Sequence, residues 1–196
     1  MNASAAALLV STAPVKRMKG VGFVNVRTFV QKDYGDEAWA AVLGRLGREE
    51  REQVAHALAV GWYPTLLFAR LLRMVDLECG RGDFNLLRRV GAAEAEQDFN
   101  RVYRVFLRTL KPAAFFAAEA RLWKHFQDSG SWRWHSIPGG MEATLEGWEA
   151  DEALCIELAG YLAKVIEFTG GKHVRVDHPA CVCRGYPGCT FMLRWT

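Results

Sequence analysis

The chain has 196 residues, of which 51% are hydrophobic and 24% charged, with a formal net charge of +3. This length and hydrophobic content predict one well-buried core rather than two domains or a disordered chain. Basic residues are scattered among acidic ones without a block of like charge, so the sequence does not favour nucleic-acid binding. No run reaches the roughly 18 apolar residues that a membrane span requires.

The N-terminal segment, residues 1–18, is rich in small and apolar residues, but no positive charge precedes its apolar run. A secretory signal peptide carries such a charge and a longer apolar core. We therefore expect residues 1–18 to be a disordered tail and residues 19–196 to form a single domain. The cysteine count of five is odd, which favours free or metal-bound thiols and predicts a cytoplasmic protein.

Helical spacing dominates the first two thirds of the chain. Phe23, Val26, Val30 and Tyr34 recur at the period of a helix, and Gly35 predicts its end. Further helices are expected over residues 39–46, 54–61 and 63–78. A short helix that ends at Val90 follows, because Gly91 breaks the pattern. Two more helices are expected over residues 99–110 and 112–126. These amphipathic segments predict a helical layer that buries one face of each helix.

From residue 129 the hydrophobic period changes to two, which indicates strands. Trp132 and Trp134 share one face, and a Pro-Gly-Gly turn separates them from a second alternating run, so a hairpin is predicted. A helix then opens at Asp151 and ends at Gly170. A second hairpin follows it, in which the valines of the first strand share a face with His178.

These elements predict an α+β fold. An N-terminal helical layer packs on a four-stranded antiparallel sheet, and the C-terminal part reads β-hairpin–helix–β-hairpin. Helices and strands are segregated along the chain, which is typical of this class.

Cysteines and a histidine are concentrated toward the C-terminus, and the alternation of side chains along the last two strands places Cys189 on the inward face with His178. Zinc prefers four such ligands in a closed tetrahedron, and a closed site is structural rather than catalytic. The sequence therefore predicts a structural zinc site, and it leaves open which four of the five candidates bind the metal. The candidate ligands are Cys155, His178, Cys181, Cys183 and Cys189.

The pattern Cys155-x4-Gly160-Tyr161, followed by Gly170-Gly171, Cys181-x3-Gly185-x3-Cys189 and a terminal aromatic strand, resembles the 4-vinyl reductase domain. The resemblance implies a small-molecule sensor fold. Phenol-sensing members of that family bind zinc through cysteines and a glutamate, which implies the same role for the three cysteines of this pattern, with His178 and Cys183 as further candidates.

The stretch from Gly130 to Trp134 resembles the Gly-x-Trp-x-Trp run of the same phenol sensors. This implies that Trp132 or Trp134 lines a ligand pocket, where an indole N–H could donate to a ligand oxygen. His125, on the preceding helix, is a candidate for a second polar contact. A plain core pair of tryptophans is the alternative reading.

Residues 18–39, with their Phe-Val-x3-Tyr-Gly-x3-Trp ending, resemble the opening of the haem-nitric-oxide-binding domains. Those domains are related in fold to the 4-vinyl reductase domains and to the subunits of the transport-protein-particle tethering complex. The haem family carries a Tyr-x-Ser-x-Arg signature, which this chain lacks, so haem ranks low as a cofactor in this reading.

The predicted function is that of a non-enzymatic sensor or carrier for a hydrophobic or aromatic small molecule. The sequence has no phosphate loop, nucleophile elbow or His-Glu-x-x-His motif to support catalysis. The alternative is a protein–protein interaction scaffold in the manner of the tethering-complex subunits, without a small ligand. A symmetric homodimer is also predicted, because Trp39, Trp62, Tyr63 and Phe68 exceed what a monomer readily buries.

Overall fold

The computed structural model describes residues 14–99 and 112–196, which form seven helices and six strands. The helices are α1 (Val21–Tyr34), α2 (Asp36–Gly44), α3 (Arg48–Ala55), α4 (Thr65–Cys79), α5 (Asn85–Asp98), α6 (Pro112–Phe126) and α7 (Glu152–Phe168). The strands are β1 (Arg17–Lys19), β2 (Trp62–Pro64), β3 (Ser131–Ile137), β4 (Gly140–Glu146), β5 (Arg175–Ala180) and β6 (Gly188–Arg194). No described helix combines the length and the apolar character that crossing a membrane demands.

The four-stranded sheet has the order β3-β4-β6-β5, and every neighbouring pair is antiparallel. Its inward face carries the alternating apolar residues, among them Ala143 and Leu145 on β4 opposite Phe191 and Cys189 on β6. Helix α6 packs against β3, and α7 packs against β5 and β6. The structure confirms the predicted α+β class, the helical layer and both hairpins.

Helices α5 and α7 cross at a pair of glycines. A side chain at Gly91 would overlap the backbone carbonyl of Glu157, and one at Gly160 would overlap that of Arg88. Only glycine permits two helix backbones to approach this closely. The expected helix break at Gly91 is therefore wrong, because α5 continues through it to Asp98.

Two other predicted helices differ from the structure. Residues 56–61, expected to be helical, follow the end of α3 at Ala55 as turns and loop. The next helix was expected from residue 63, but Trp62–Pro64 pairs with Arg17–Lys19 as a two-stranded ribbon and α4 begins at Thr65. Because the partner strand lies more than 40 residues away in sequence, local periodicity could not indicate this pairing.

The expected disordered tail, residues 1–18, falls partly outside the described residues. Residues 1–13 are not described, whereas Arg17 and Met18 lie in β1. Met18 is buried and bridges Gln127 at the end of α6. Most of the helix predicted over 99–110 likewise lies outside the described ranges, and Phe99 follows the end of α5 as its C-cap in an extended conformation.

Candidate functional site

Three cysteines and one histidine meet where the C-terminal hairpin packs on helix α7. Cys155 lies in the first turn of α7, His178 on β5, Cys181 just after β5 and Cys189 at the start of β6. The three Sγ atoms lie 3.7 to 3.8 Å from one another. One ligand atom from each of the four residues fits within 4.8 Å of all the others. We call this set the thiol–imidazole tetrad.

Local structure explains why these four side chains converge. The Asp151 carboxylate accepts a hydrogen bond from the Ala153 amide at 2.8 Å and so caps α7 where Cys155 enters the core. The register of β4 with β6 places Cys189 opposite Leu145 on the inward face. The His178 ring stacks on Phe191 with ring centres 4.5 Å apart, which holds the imidazole against the same face.

Hydrogen bonding between the thiols of the tetrad shifts the pKa values of Cys189 and Cys155 in opposite directions. The pKa of Cys189 is lowered to about 4, chiefly because the Cys155 thiol donates a hydrogen bond to it, with smaller contributions from His178 and a backbone amide. The pKa of Cys155 is raised by that same hydrogen bond and by burial. This hydrogen bond thus favours the anionic form of Cys189, which lies beside two further sulfurs and an imidazole.

The geometry of the tetrad matches that of a tetrahedral metal centre. A metal–sulfur distance of about 2.3 Å places tetrahedral sulfurs about 3.8 Å apart, which is the spacing of the three Sγ atoms. The His178 side chain lies within hydrogen-bonding reach of the Cys189 sulfur and can offer a ring nitrogen as the fourth ligand atom. Soft sulfur ligands with one imidazole suit a thiophilic divalent cation.

The fifth candidate ligand, Cys183, does not join the tetrad. It lies in the short 3-10 turn Val182–Arg184 and its side chain is exposed. The structure therefore brings together Cys155, His178, Cys181 and Cys189, and it leaves Cys183 outside this group, although the Cys183 thiol hydrogen-bonds Cys181. Cys79, at the end of α4, is also separate.

A cavity of about 120 Å³ lies between the helices, and no tetrad residue lines it. Its walls come from α1, α4, α5, α6, α7 and the loop before α7. Phe68, Trp123 and Trp148 supply aromatic surface, and Leu154 and Leu158 supply aliphatic surface. The cavity is therefore mainly apolar, as small-molecule sites usually are.

The polar part of the cavity wall is acidic and was not anticipated from the sequence. Glu94, Asp98 and Glu157 all line it. Each of these carboxyls has a raised pKa, and burial is the largest cause in every case. The pKa of Glu157 is raised to about 8. One signal was available, since Glu157 lies in the apolar stripe of α7 beside Leu158. A charged residue on a buried helix face is often functional.

The residues expected to contact a ligand lie beside the cavity rather than in its lining. Trp132 and Trp134 stack on each other with ring centres 4.6 Å apart, and Trp134 stacks on Phe116. His125 is exposed at the end of α6. Trp123 connects this tryptophan pair to the cavity, because it lines the cavity and packs edge-on against Trp132.

No protein-family model and no curated protein sequence matches this chain. Solved structures do match it. An H-NOX protein from S. oneidensis in the Fe(II)NO ligation state aligns with a TM-score of 0.68 and 14% identity, over 91% of this chain and 99% of that one. An unliganded Fe(II) H-NOX protein from K. algicida aligns with a TM-score of 0.67 and 14% identity, over 91% and 97%.

A further similar structure comes from work on haem distortion in the H-NOX family. It aligns with a TM-score of 0.67 and 12% identity, over 91% of this chain and 95% of that one. These neighbours contradict the cofactor expectation from the sequence, which named zinc and ranked haem low. The missing Tyr-x-Ser-x-Arg run is not a sufficient reason to rank haem low, because the fold itself is one that haem proteins use.

The described cavity can be compared with the requirements of haem. Histidine and cysteine are common axial ligands of haem iron, and neither lines the cavity. A volume of 120 Å³ is small for a porphyrin, and Lys19, the one cation among the described lining residues, already donates to the Val60 carbonyl rather than to a propionate site. The described lining residues thus do not fit haem. Across 91% of its length, however, this chain has the fold of the H-NOX domains.

Proposed function

We propose that this chain is a non-enzymatic sensor domain that binds a small molecule in the cavity between its helices. The observation that carries the proposal is the cavity itself, an apolar chamber with a few buried polar groups in a fold shared with H-NOX proteins. Haem is included among the ligands to test because the similar structures are H-NOX proteins, although the described lining does not fit it. Membership of the 4-vinyl reductase family stays a prediction.

The cavity proposal can be tested by filling the chamber. Leu158 lines it, so a Leu158→Phe variant should occupy part of the volume and exclude a ligand. Leu122→Phe on α6 is the matched control, because Leu122 is 47% exposed. We expect native mass spectrometry to show a small molecule bound to the wild-type chain and to the control, and little or none bound to Leu158→Phe.

Absorption spectroscopy of the same samples identifies haem by its Soret band. The proposal is wrong if the purified wild-type chain carries no small molecule and takes up neither haemin nor a single-ring probe such as toluene. Bare chain masses together with the masses of a co-purified protein would instead favour the interaction-scaffold alternative.

We also propose that the thiol–imidazole tetrad binds one metal ion that joins the C-terminal hairpin to α7. The sulfur spacing and the closeness of a His178 ring nitrogen to all three sulfurs support this assignment. Such a metal would be structural, because four protein ligands leave no open coordination position. This role is separate from the cavity and does not depend on what the cavity binds.

The homodimer stays a prediction, but the structure buries most of the large side chains that suggested it. Trp39 and Phe68 are buried in the core of a single chain, and the Tyr63 hydroxyl accepts a hydrogen bond from the Leu58 amide. Of the four residues in that argument, only Trp62 is exposed, at 38%. A cytoplasmic location and a protein partner also stay predictions, as do the ligand roles of Trp132, Trp134 and His125.

A further inference from the structure

The acidic wall of the cavity has no positively charged partner in residues 14–99 and 112–196. Among the described residues, Glu94, Asp98 and Glu157 make no ion pair with a lysine, arginine or histidine, although other carboxylates of the chain do. Lys19 is the one described cation in the cavity lining. Its Nζ donates to the Val60 carbonyl at 2.9 Å and lies over the Trp62 ring, so it is already engaged.

Buried polar atoms in the lining are also left without hydrogen bonds. Oε1 of Glu94, Oε1 of Gln127 and Nε1 of Trp148 have no partner among the described residues. Glu94 is 5% exposed, Gln127 8% and Trp148 6%. Buried polar groups nearly always have partners in folded proteins. Two unpartnered acceptors and one unpartnered donor in one chamber therefore point to a guest molecule.

The acidic wall is unsuited to a metal ion. Among the described residues, the tetrad is the one cluster whose ligand atoms lie close enough to share a cation. The three cavity carboxyls do not form such a group, so a compact divalent ion could not bridge them. An organic cation can place its charge at one carboxyl and its apolar body against the aromatic wall.

We propose that the cavity binds a small organic cation, a protonated amine attached to an apolar body of about one ring. This assignment rests on the proposed small-molecule function and names the chemical class of the ligand. The ammonium group donates to Glu94 and Gln127, and the ring packs between Trp123, Trp148 and Leu158. The size follows from the volume, because a cavity of about 150 Å³ holds a benzene molecule and this one measures about 120 Å³ with an opening to solvent.

The protonation of the carboxyls in the cavity wall supports this class of ligand. Burial raises the pKa of Glu94, and the charge of Asp98 acts in the same direction. Asp98 itself accepts hydrogen bonds from Asn25 and from the Tyr161 hydroxyl. The raised pKa of Glu94 favours its neutral form when no cation is present. An arriving ammonium group favours the ionised carboxylates, so protons leave as the cation binds.

Three probes of one shape and different charge test the proposal. Benzylamine is the cation, benzyl alcohol the neutral match and benzoate the anion, each titrated into the full chain by isothermal calorimetry at pH 7. We expect benzylamine to bind at least tenfold more tightly than benzyl alcohol, and benzoate not to bind. Titrations in two buffers of different ionisation enthalpy should show proton release with benzylamine alone.

Glu94→Gln removes the charge with little change of shape and should abolish the preference for benzylamine over benzyl alcohol. Glu96→Gln is the matched control on the same helix, since Glu96 pairs with Lys164 outside the cavity lining. The control should keep the wild-type preference.

The outcomes separate the two proposals. If benzyl alcohol or toluene binds as tightly as benzylamine, and Leu158→Phe prevents that binding, the cavity is a ligand site but the cation assignment is overturned. If no probe binds the wild-type chain and it carries no other small molecule, both proposals fail. If the preference for benzylamine survives in Glu94→Gln, the assigned contact is wrong.

Discussion

Glu157 is a carboxyl group buried in the middle of the longest described helix, α7, where it faces Glu94 and Asp98 of α5. Its pKa is raised to about 8, first by burial and then by the charge of Asp98, from an ordinary value of 4.5. Between these two values the folded chain holds a proton that the unfolded chain has released. The free energy of unfolding therefore falls as pH rises through this window.

The pH dependence predicts the behaviour of Glu157→Gln. The variant should lose a contribution to the slope of up to about 1.4 kcal/mol per pH unit between pH 4.5 and 8. Urea unfolding at several pH values measures this slope. Some slope remains, because the raised pKa of Glu94 acts in the same direction. Equal slopes in the variant and the wild type would contradict the burial of an uncompensated carboxyl at this position.

At the scale of elements, the crossing of α5 and α7 determines how the helical layer meets the sheet. Gly91 and Gly160 allow each helix to rest on the backbone of the other. This close approach brings the acids of α5 beside Glu157 of α7 and so forms one wall of the cavity. The two glycines therefore determine both how closely the helices pack and where the candidate ligand site lies.

Gly160→Ala should be costly, because its Cβ would overlap the Arg88 carbonyl, which is backbone and cannot rotate away. We expect a loss of about 1–3 kcal/mol in the free energy of unfolding. Gly44→Ala, at the end of α2, is the control, since a Cβ there meets nothing within 4 Å. It should be neutral or slightly stabilising. Equal effects of the two changes in urea unfolding would show that the helices do not touch at Gly160.

At the scale of the whole molecule, the thiol–imidazole tetrad connects the C-terminal hairpin to the helical layer. Its ligands come from α7, β5, the turn after β5, and β6. A metal bound to all four stabilises the folded chain by its binding free energy, because these ligands are not assembled in the unfolded chain.

Cys189→Ser should remove about one equivalent of metal per chain and lower the melting temperature by roughly 10 °C. Cys79→Ser is the matched control, because Cys79 lies outside the tetrad and should change neither quantity. Elemental analysis and thermal unfolding measure the two effects, and a chelator should destabilise the wild type but not Cys189→Ser. Metal-free wild-type protein, purified under reducing conditions without chelator, would rule out the site.

Local sequence patterns were sufficient to predict several parts of this fold. The helix from Val21 to Tyr34 and both C-terminal hairpins follow from periods of 3.6 and 2, which depend on residues only a few positions apart. The same alternation turned Cys189 and His178 to one face. The identity of the candidate metal ligands was thus largely readable, although the sequence could not separate His178 from Cys183.

The tertiary structure alone decided the remaining features. Cys183 lies outside the tetrad, and Trp62–Pro64 pairs with Arg17–Lys19. Helix α5 continues through Gly91. The tertiary structure also brought Glu94 within one cavity with Glu157, a residue 63 positions later. Each of these features depends on contacts between segments far apart in the chain. Periodicity reports which face of an element is buried, but not which distant segment buries it.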